Sequence, residues 1–386
     1  MEFFNKIKCF FLSVINFFFF FISINKKLKN NKKNLIVFSH DGSDKGGAPV
    51  VLFNLLNNMN LTNYNVIILF KNDGPLIKKC KEQGYDSYVY QYIYKFYLWI
   101  LAEKVDSVII NTVICGNVVN FLQKNRKYQR ANIVWWIHEG EDMFSLVQHK
   151  LPQKINKNVK VVCVSEISKI IFHKFYPNYN PEILHYGILD RFNKYISLEP
   201  NSKFVISVIG MLCDRKNQLQ IVELVKKLPK EILSMLEINI VAATWDSEYK
   251  KKFVNQSYKI KQIKIINGLS HDKILKLYKK TNLLIACSKI DPLPVVVSEA
   301  MMMECPCLVS SGCGQFKYIK DGINSYKYNV NDVEEMKKKL LFAIKNTNNI
   351  KLRKKERETY LYNFSMQQAV TKMSKYIHME DKVCHE

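Results

Sequence analysis

Two acids, two cations, a glycine pair and one histidine are the side chains in this chain whose types and spacing can do chemistry. Asp291 and Glu299 stand with seven residues between them in DPLPVVVSEA (291–300). Pro292 and Pro294 bar helix before Val295, and proline suits a first helical position. Asp291 is therefore expected on a loop, and Glu299 about a turn into a helix. The first amides of that helix, around Pro294 and Val295, offer an anion a place to bind. An acid beside such a place is costly unless it grips hydroxyls, as on a ribose. The plain alternative is a helix cap plus a surface acid.

VIGMLCDRKNQLQ (208–220) ends a strand on Gly210 and then presents Arg215 and Lys216, read as the start of a helix. Positive charge at a helix N-terminus is locally unfavourable, so this pair calls for an anion, unless it is only a solvated basic pair in a lysine-rich chain. Gly46 and Gly47 lie between a strand and a helix in SHDGSDKGGAPVVLFNLL (39–56), where missing side chains let backbone amides approach a ligand. No G-K-[S/T] or G-x-G-x-x-G accompanies them, so this is not a Walker or dinucleotide loop. A simple turn is the competing reading. His138 ends the strand WWIHEGED, with Glu139 beside it, and a structural histidine is equally open there. His138 does not begin an H-x-E, and Cys305 and Cys307 are too close for P-C-x-x-C, which argues against a zinc deaminase at His138 and leaves no metal site indicated. Gly312-Cys313-Gly314 reads as an ordinary turn.

These residues need elements to position them. From Asn34 onward, apolar strand-like runs alternate with helical segments: NLIVFSH, NVIILF, DSVIINT, NIVWWIHE, KVVCVSE and EILHYG, up to about residue 190. The polar, aperiodic stretch RFNKYISLEPNSK reads as a linker over 191–203. The alternation restarts with FVISVIG, EINIVAAT, KIING, LLIACS and PCLVSS, and runs to about 350, before a helical tail over 351–386. Strands that are apolar throughout and separated by helices mean parallel sheets covered on both faces. The fold expected is α/β: two Rossmann-like doubly wound domains, 34–190 and 204–350, facing a central cleft at the carboxyl ends of their strands. Ser270 is expected to cap a helix near His271. Asn331, with Glu334 three residues on, makes a capping-box-like start for the helix that follows.

Lysine and arginine outnumber the acids by 58 to 34, a formal charge of +24, which favours anionic partners. Richness in Lys, Asn, Ile, Phe and Tyr can equally track base composition, so charge alone selects no function. The ten cysteines are scattered, many within apolar runs and none in C-x-x-C, which fits a reducing compartment better than a disulfide framework. Residues 1–33 form a separate segment. Its apolar run 9–24 follows Lys6 and Lys8 and precedes lysines 26, 27, 29, 32 and 33. As a helix it would reach roughly 24 Å, short of the ~30 Å hydrocarbon core. No small-residue cleavage site follows it. Three readings stand: a short signal anchor, a helix lying in an anionic membrane interface, or a helix packed on the protein. The downstream lysines favour a cytoplasmic location at the membrane's inner face.

The acid-x7-Glu stretch, together with HDKILKLYKKTNLLIACSKIDPLP and SEAMMMECPCLVSSGCGQFKYIKDGINSYKY, resembles glycosyltransferase family 4. The likeness runs over roughly residues 34–345. It implies a GT-B type fold and retaining, hexosyl-type transfer from a nucleoside-diphosphate sugar to a hydroxyl, with no cofactor and no metal. It further implies that Glu299 binds the donor ribose, that Arg215, Lys216, Gly46, Gly47 and the helix start at Pro294 and Val295 hold the diphosphate, and that His138 lies near the donor sugar. Asp291 stands where the family usually has a longer Glu, and Met211 where it often has Arg. The acceptor expected is a glycan or lipid-linked glycan. Nucleic acid is not expected as a partner. The alternative is a catalytically weak scaffold or polyanion-binding peripheral membrane protein that kept the fold.

Overall fold

The computed structural model describes residues 11, 13–22, 24, 31–44, 47–91, 93–102, 104–194 and 202–377. The chain divides into two compact units, residues 1–187 with 369–386, and residues 188–368.

In the first unit the strands are β1 (Lys33–Ser39), β2 (Tyr64–Phe70), β3 (Asp86–Val89), β4 (Ser107–Asn111), β5 (Asn132–Ile137), β6 (Val159–Cys163) and β7 (Glu182–Ile183). They form one sheet in the order β3-β2-β1-β4-β5-β6-β7, with every pairing parallel. Leu35 to Phe38, Ile67 to Leu69 and Ile133 to Ile137 are all buried, as strands covered on both faces require. Connections leave β1 in both directions, so the order reverses between β1 and β4. Crevices at such reversals, by the carboxyl ends of the strands, are where α/β sheets take ligands.

The second unit repeats the plan with β8 (Phe204–Ile209), β9 (Leu236–Ala242), β10 (Ile263–Asn267), β11 (Leu283–Ala286), β12 (Cys307–Ser310) and β13 (Tyr326–Tyr328). Their order is β10-β9-β8-β11-β12-β13, again parallel throughout, with the reversal between β8 and β11. Ile206, Val208, Ile238, Ile240 and Ile285 meet Val222, Val225 and Phe253 of the covering helices in its core.

Local chemistry explains where the expectations shift. The helix Val333–Lys345 is capped by Asp332, whose side chain accepts from the Glu335 amide at 2.8 Å, and not by Asn331. Ser270 does occupy the cap position of the helix His271–Lys280, but its side chain makes no capping bond. Arg215 and Lys216 do not open an α-helix. They sit on a 3-10 turn, Asp214–Lys216, followed by Asn217 in the left-handed region (φ 59°), and the helix Leu219–Lys226 begins beyond it. The expected 351–386 tail is shared between the units. The helix Ile350–Asn363 stays with the second, where Arg357 pairs with Asp190 at 2.6 Å. Helix Met366–Ile377 ends in the first, where the Ile377 carbonyl accepts from the Ser107 hydroxyl at 2.8 Å and Tyr376 donates to Glu182 at 2.7 Å.

Residues 13–22 are helical, and the expected flanking lysines 6, 8, 26, 27 and 29 lie outside the described residues. Ser13, Phe20 and Ile24 are buried, with the Phe20 ring 4.8 Å from that of Tyr97 and 5.4 Å from that of Tyr88. Among the described residues no helix is long and apolar enough to cross a membrane.

Candidate active site

In the second unit the cations gather at the sheet reversal. Gly210 follows β8 at φ 144°, a backbone state that L side chains rarely adopt. A Cβ built there would lie 3.6 Å from Cε of Lys216 and 3.7 Å from its Nζ, so the ammonium lies against the end of the strand. Lys216 Nζ pairs with Asp291 Oδ2, and Arg215 reaches the same oxygen at 3.4 Å while donating to the Ile290 carbonyl at 3.2 Å. The loops after β8 and β11 are stitched by the Lys289 amide donating to the Arg215 carbonyl at 2.9 Å. Lys216 and Asp291 side chains are only 16% and 11% exposed, against 44% for Arg215. Arg215 is thus the more solvent-exposed of the two cations.

Asp291 is itself clamped through its backbone. Its amide donates to the Gly312 carbonyl at 2.7 Å, and the Gly314 amide donates to its carbonyl at 3.0 Å. A Cβ at Gly312 would lie 2.2 Å from the Lys289 carbonyl oxygen, so only glycine lets the two loops approach. The Gly312-Cys313-Gly314 turn therefore has a packing reason to exist.

The helix Val295–Met302 begins directly after Pro294, which is its cap residue and not its first helical one. Its start is fixed by a residue the sequence did not single out: buried Gln315 donates to the Pro294 carbonyl at 2.8 Å and to Ser298 Oγ at 3.0 Å. Glu299 lies in the second turn and is 6% exposed. Each of its oxygens already has one partner, His271 Nε2 at 2.7 Å on Oε1 and the Tyr278 hydroxyl at 3.1 Å on Oε2. A carboxylate has about four lone-pair positions, so both oxygens keep capacity for a diol. The bond to Glu299 raises the His271 pKa above its ordinary 6.5 against the opposing pull of burial. Neither His271 nor Tyr278 was legible as a partner, because only the packing of two helices brings them to Glu299.

The first unit has its own cluster at the carboxyl ends of β1, β4 and β5. His138 is buried, and neither ring nitrogen has a hydrogen-bond partner among the described residues. Burial, aided by nearby His40, holds its pKa well below the ordinary value, so the imidazole is neutral at pH 7. It stacks on Tyr186 with ring centroids 5.3 Å apart. Glu139 neither pairs with that ring nor charges it: its Oε2 accepts from the Val113 and His138 amides, each at 3.0 Å. Burial outweighs those bonds and pushes the Glu139 pKa up to about 7. Among the described residues, His40 Nδ1, which follows β1, and Asn111 Oδ1, which ends β4, are also buried without a hydrogen-bond partner. A neutral imidazole and an amide oxygen can serve hydroxyl groups in both directions. Gly47 starts the helix Gly47–Asn58, where a Cβ would meet nothing within 4 Å, so packing gives no reason for glycine there. Asn111 donates to the Ala48 carbonyl at 3.1 Å and ties that helix start to β4. Gly46 lies outside the described residues. Among the described residues, no group of three or more His, Cys, Asp or Glu side chains is placed to hold a metal ion.

Comparison with known proteins places both units. The family described as Glycosyl transferases group 1 matches residues 190–360, and Glycosyl-transferase family 4 matches residues 31–170. No curated protein sequence matches the chain. Among solved structures, Anabaena Alr3699/HepE in complex with UDP superposes with a TM-score of 0.72 at 14% identity, over 90% of this chain and 100% of that one. The apo lipopolysaccharide outer core galactosyltransferase WaaB gives 0.71 at 14%, over 90% and 99%. A glycosyltransferase from Rickettsia africae gives 0.71 at 15%, over 92% and 100%. At such identities the likeness is one of fold.

Proposed function

The chain belongs to the group 1 glycosyl transferases of family 4, and from that premise we propose that it moves a hexosyl group from a nucleoside-diphosphate sugar to a hydroxyl with retention at the anomeric carbon. The observation that carries this reading is the meeting of Arg215, Lys216 and Asp291 at the β8/β11 reversal, on the loop that leads into the helix start at Pro294 and Val295. Two cations and a set of helix-end amides favour the diphosphate most when its charge is greatest, as the sugar departs. Glu299 takes the ribose diol, and Asp291 turns from the cations to a hydroxyl of the donor sugar. Neutral His138 offers a hydrogen bond to a hydroxyl of the transferred sugar.

The step breaks the bond from the anomeric carbon to the phosphate oxygen and forms one to the acceptor oxygen on the same face. The acceptor proton passes to the departing phosphate, so no enzyme nucleophile takes part, and the reading invokes no metal or other cofactor. A UDP-sugar is the first donor to try, since Alr3699/HepE carries UDP and UDP-glucose. A lipid-linked or surface glycan is the acceptor class proposed, in keeping with the fold shared with WaaB.

A panel of nucleotide sugars, scored by thermal shift and then by transfer and donor hydrolysis, tests this directly. Lys216→Ala and Glu299→Ala should each lower transfer at least ~100-fold with the fold retained. Unchanged rates in both remove the assignment. The scaffold reading draws on Asp291 closing over both cations and on exposed Met211 following Gly210. It predicts nucleotide binding without turnover of any donor in the panel.

A further inference from the structure

Among the described residues, several apolar side chains of the N-terminal segment are exposed. One face of residues 13–22 packs on Tyr88 and Tyr97, yet Ile15, Phe18, Phe19 and Ile22 are exposed. The neighbouring helix Tyr94–Leu101 behaves in the same way: Tyr97, Leu98 and Leu101 are buried, while Phe96 is 59% and Trp99 73% exposed. The two elements touch, with the Phe17 and Phe96 rings 5.9 Å apart and those of Phe17 and Tyr97 5.3 Å apart. The sequence marked only the first of these elements. A helix that is apolar all round needs cover on both sides, and an exposed apolar surface shared by two elements marks an interaction site.

We propose that Phe96 and Trp99, together with the outer face of residues 15–22, form one surface that inserts into the headgroup region of an anionic bilayer. The occupant follows from charge. Lysines 6, 8, 26, 27, 29, 32 and 33 flank the segment in sequence, and Lys95 and Lys104 are exposed at either end of the second helix. A second copy covering the same patch would repeat the same basic surface, with Lys95 and Lys104, on both sides of a two-fold interface. An acidic leaflet complements them. One face of the segment is held against Tyr88 and Tyr97, so its outer face meets the bilayer from the side, in the plane of the interface, where aromatic residues, tryptophan above all, are favoured. This proposal does not depend on the donor chemistry of the second unit.

The test uses the full chain with phosphatidylcholine vesicles, with and without phosphatidylglycerol. Binding is expected only when the acidic lipid is present, weakening with salt, and the Phe96→Ala/Trp99→Ala double variant should lose at least ~10-fold in partitioning. Brominated lipid should quench tryptophan emission in the parent protein. It should not do so in Trp99→Phe, which still binds. The proposal falls if the double variant partitions like the parent, or if quenching survives in Trp99→Phe. It also falls if the chain forms a dimer that the double variant dissolves while no vesicle binds. A nucleotide-sugar thermal shift unchanged in the double variant shows the donor pocket intact, so lost partitioning is read on this surface alone.

Discussion

Asp291 pairs with both Lys216 and Arg215, and that contact sets what its removal does. A carboxylate against Lys216 and Arg215 competes with a phosphate for the same charge. Asp291→Ala should therefore bind a free nucleoside diphosphate about 3- to 10-fold more tightly, while transfer falls at least ~10-fold because the donor loses a positioning contact. Titration calorimetry and initial rates read the two effects separately, and weaker diphosphate binding in the variant contradicts the competition. Glu299 is differently built, since His271 and Tyr278 orient it without using all of its lone pairs. That Asp291 sits on a loop and Glu299 in the helix after it was legible from two prolines and a seven-residue spacing. Their partners were not, because side-chain pairing across helices leaves no local pattern in the sequence.

Elements were legible wherever composition forced them. Runs such as NLIVF and NIVWWI have one stable destination, the interior of a parallel sheet. Boundaries set by a single side chain were less so: Asp332 caps a helix where Asn331 fits the pattern as well, and Asn217 in the left-handed region cuts the Arg215–Lys216 turn from the helix that follows. The helical tail could not be apportioned between units, because an amphipathic stripe does not say which sheet it covers. Within that tail, Glu356 is fully buried on the helix Ile350–Asn363, and burial pushes its pKa up to about 8. The Ser325 hydroxyl lies 2.8 Å from both Glu356 Oε1 and the Cys307 carbonyl, and it has one proton to give. With Glu356 protonated and donating to Ser325, that hydroxyl is free to donate to the Cys307 carbonyl, and this is the neutral form that the raised pKa describes. Because the folded chain keeps this proton longer than the unfolded one, the contribution of Glu356 to stability should fall as pH rises from about 4.5 to about 8 and then level off. Glu356→Gln should remove that dependence and gain up to a few kcal/mol at pH 8. Denaturant melts across the range check it, and a parallel pH dependence in the variant rules it out.

The whole molecule is two sheets of one plan, each with a polar cluster at its strand-order reversal, in a chain of net charge +24. That excess has two claimants, a bilayer at the first unit and a phosphorylated donor at the second, and the second is the central claim. The comparison that tests it most directly is the affinity of the intact protein for a nucleoside diphosphate against the bare nucleoside, in parent and Lys216→Ala. The parent should prefer the diphosphate by at least ~100-fold, and Lys216→Ala should lose most of that preference. Equal affinity for the two ligands in the parent, or an undiminished preference in the variant, contradicts the account.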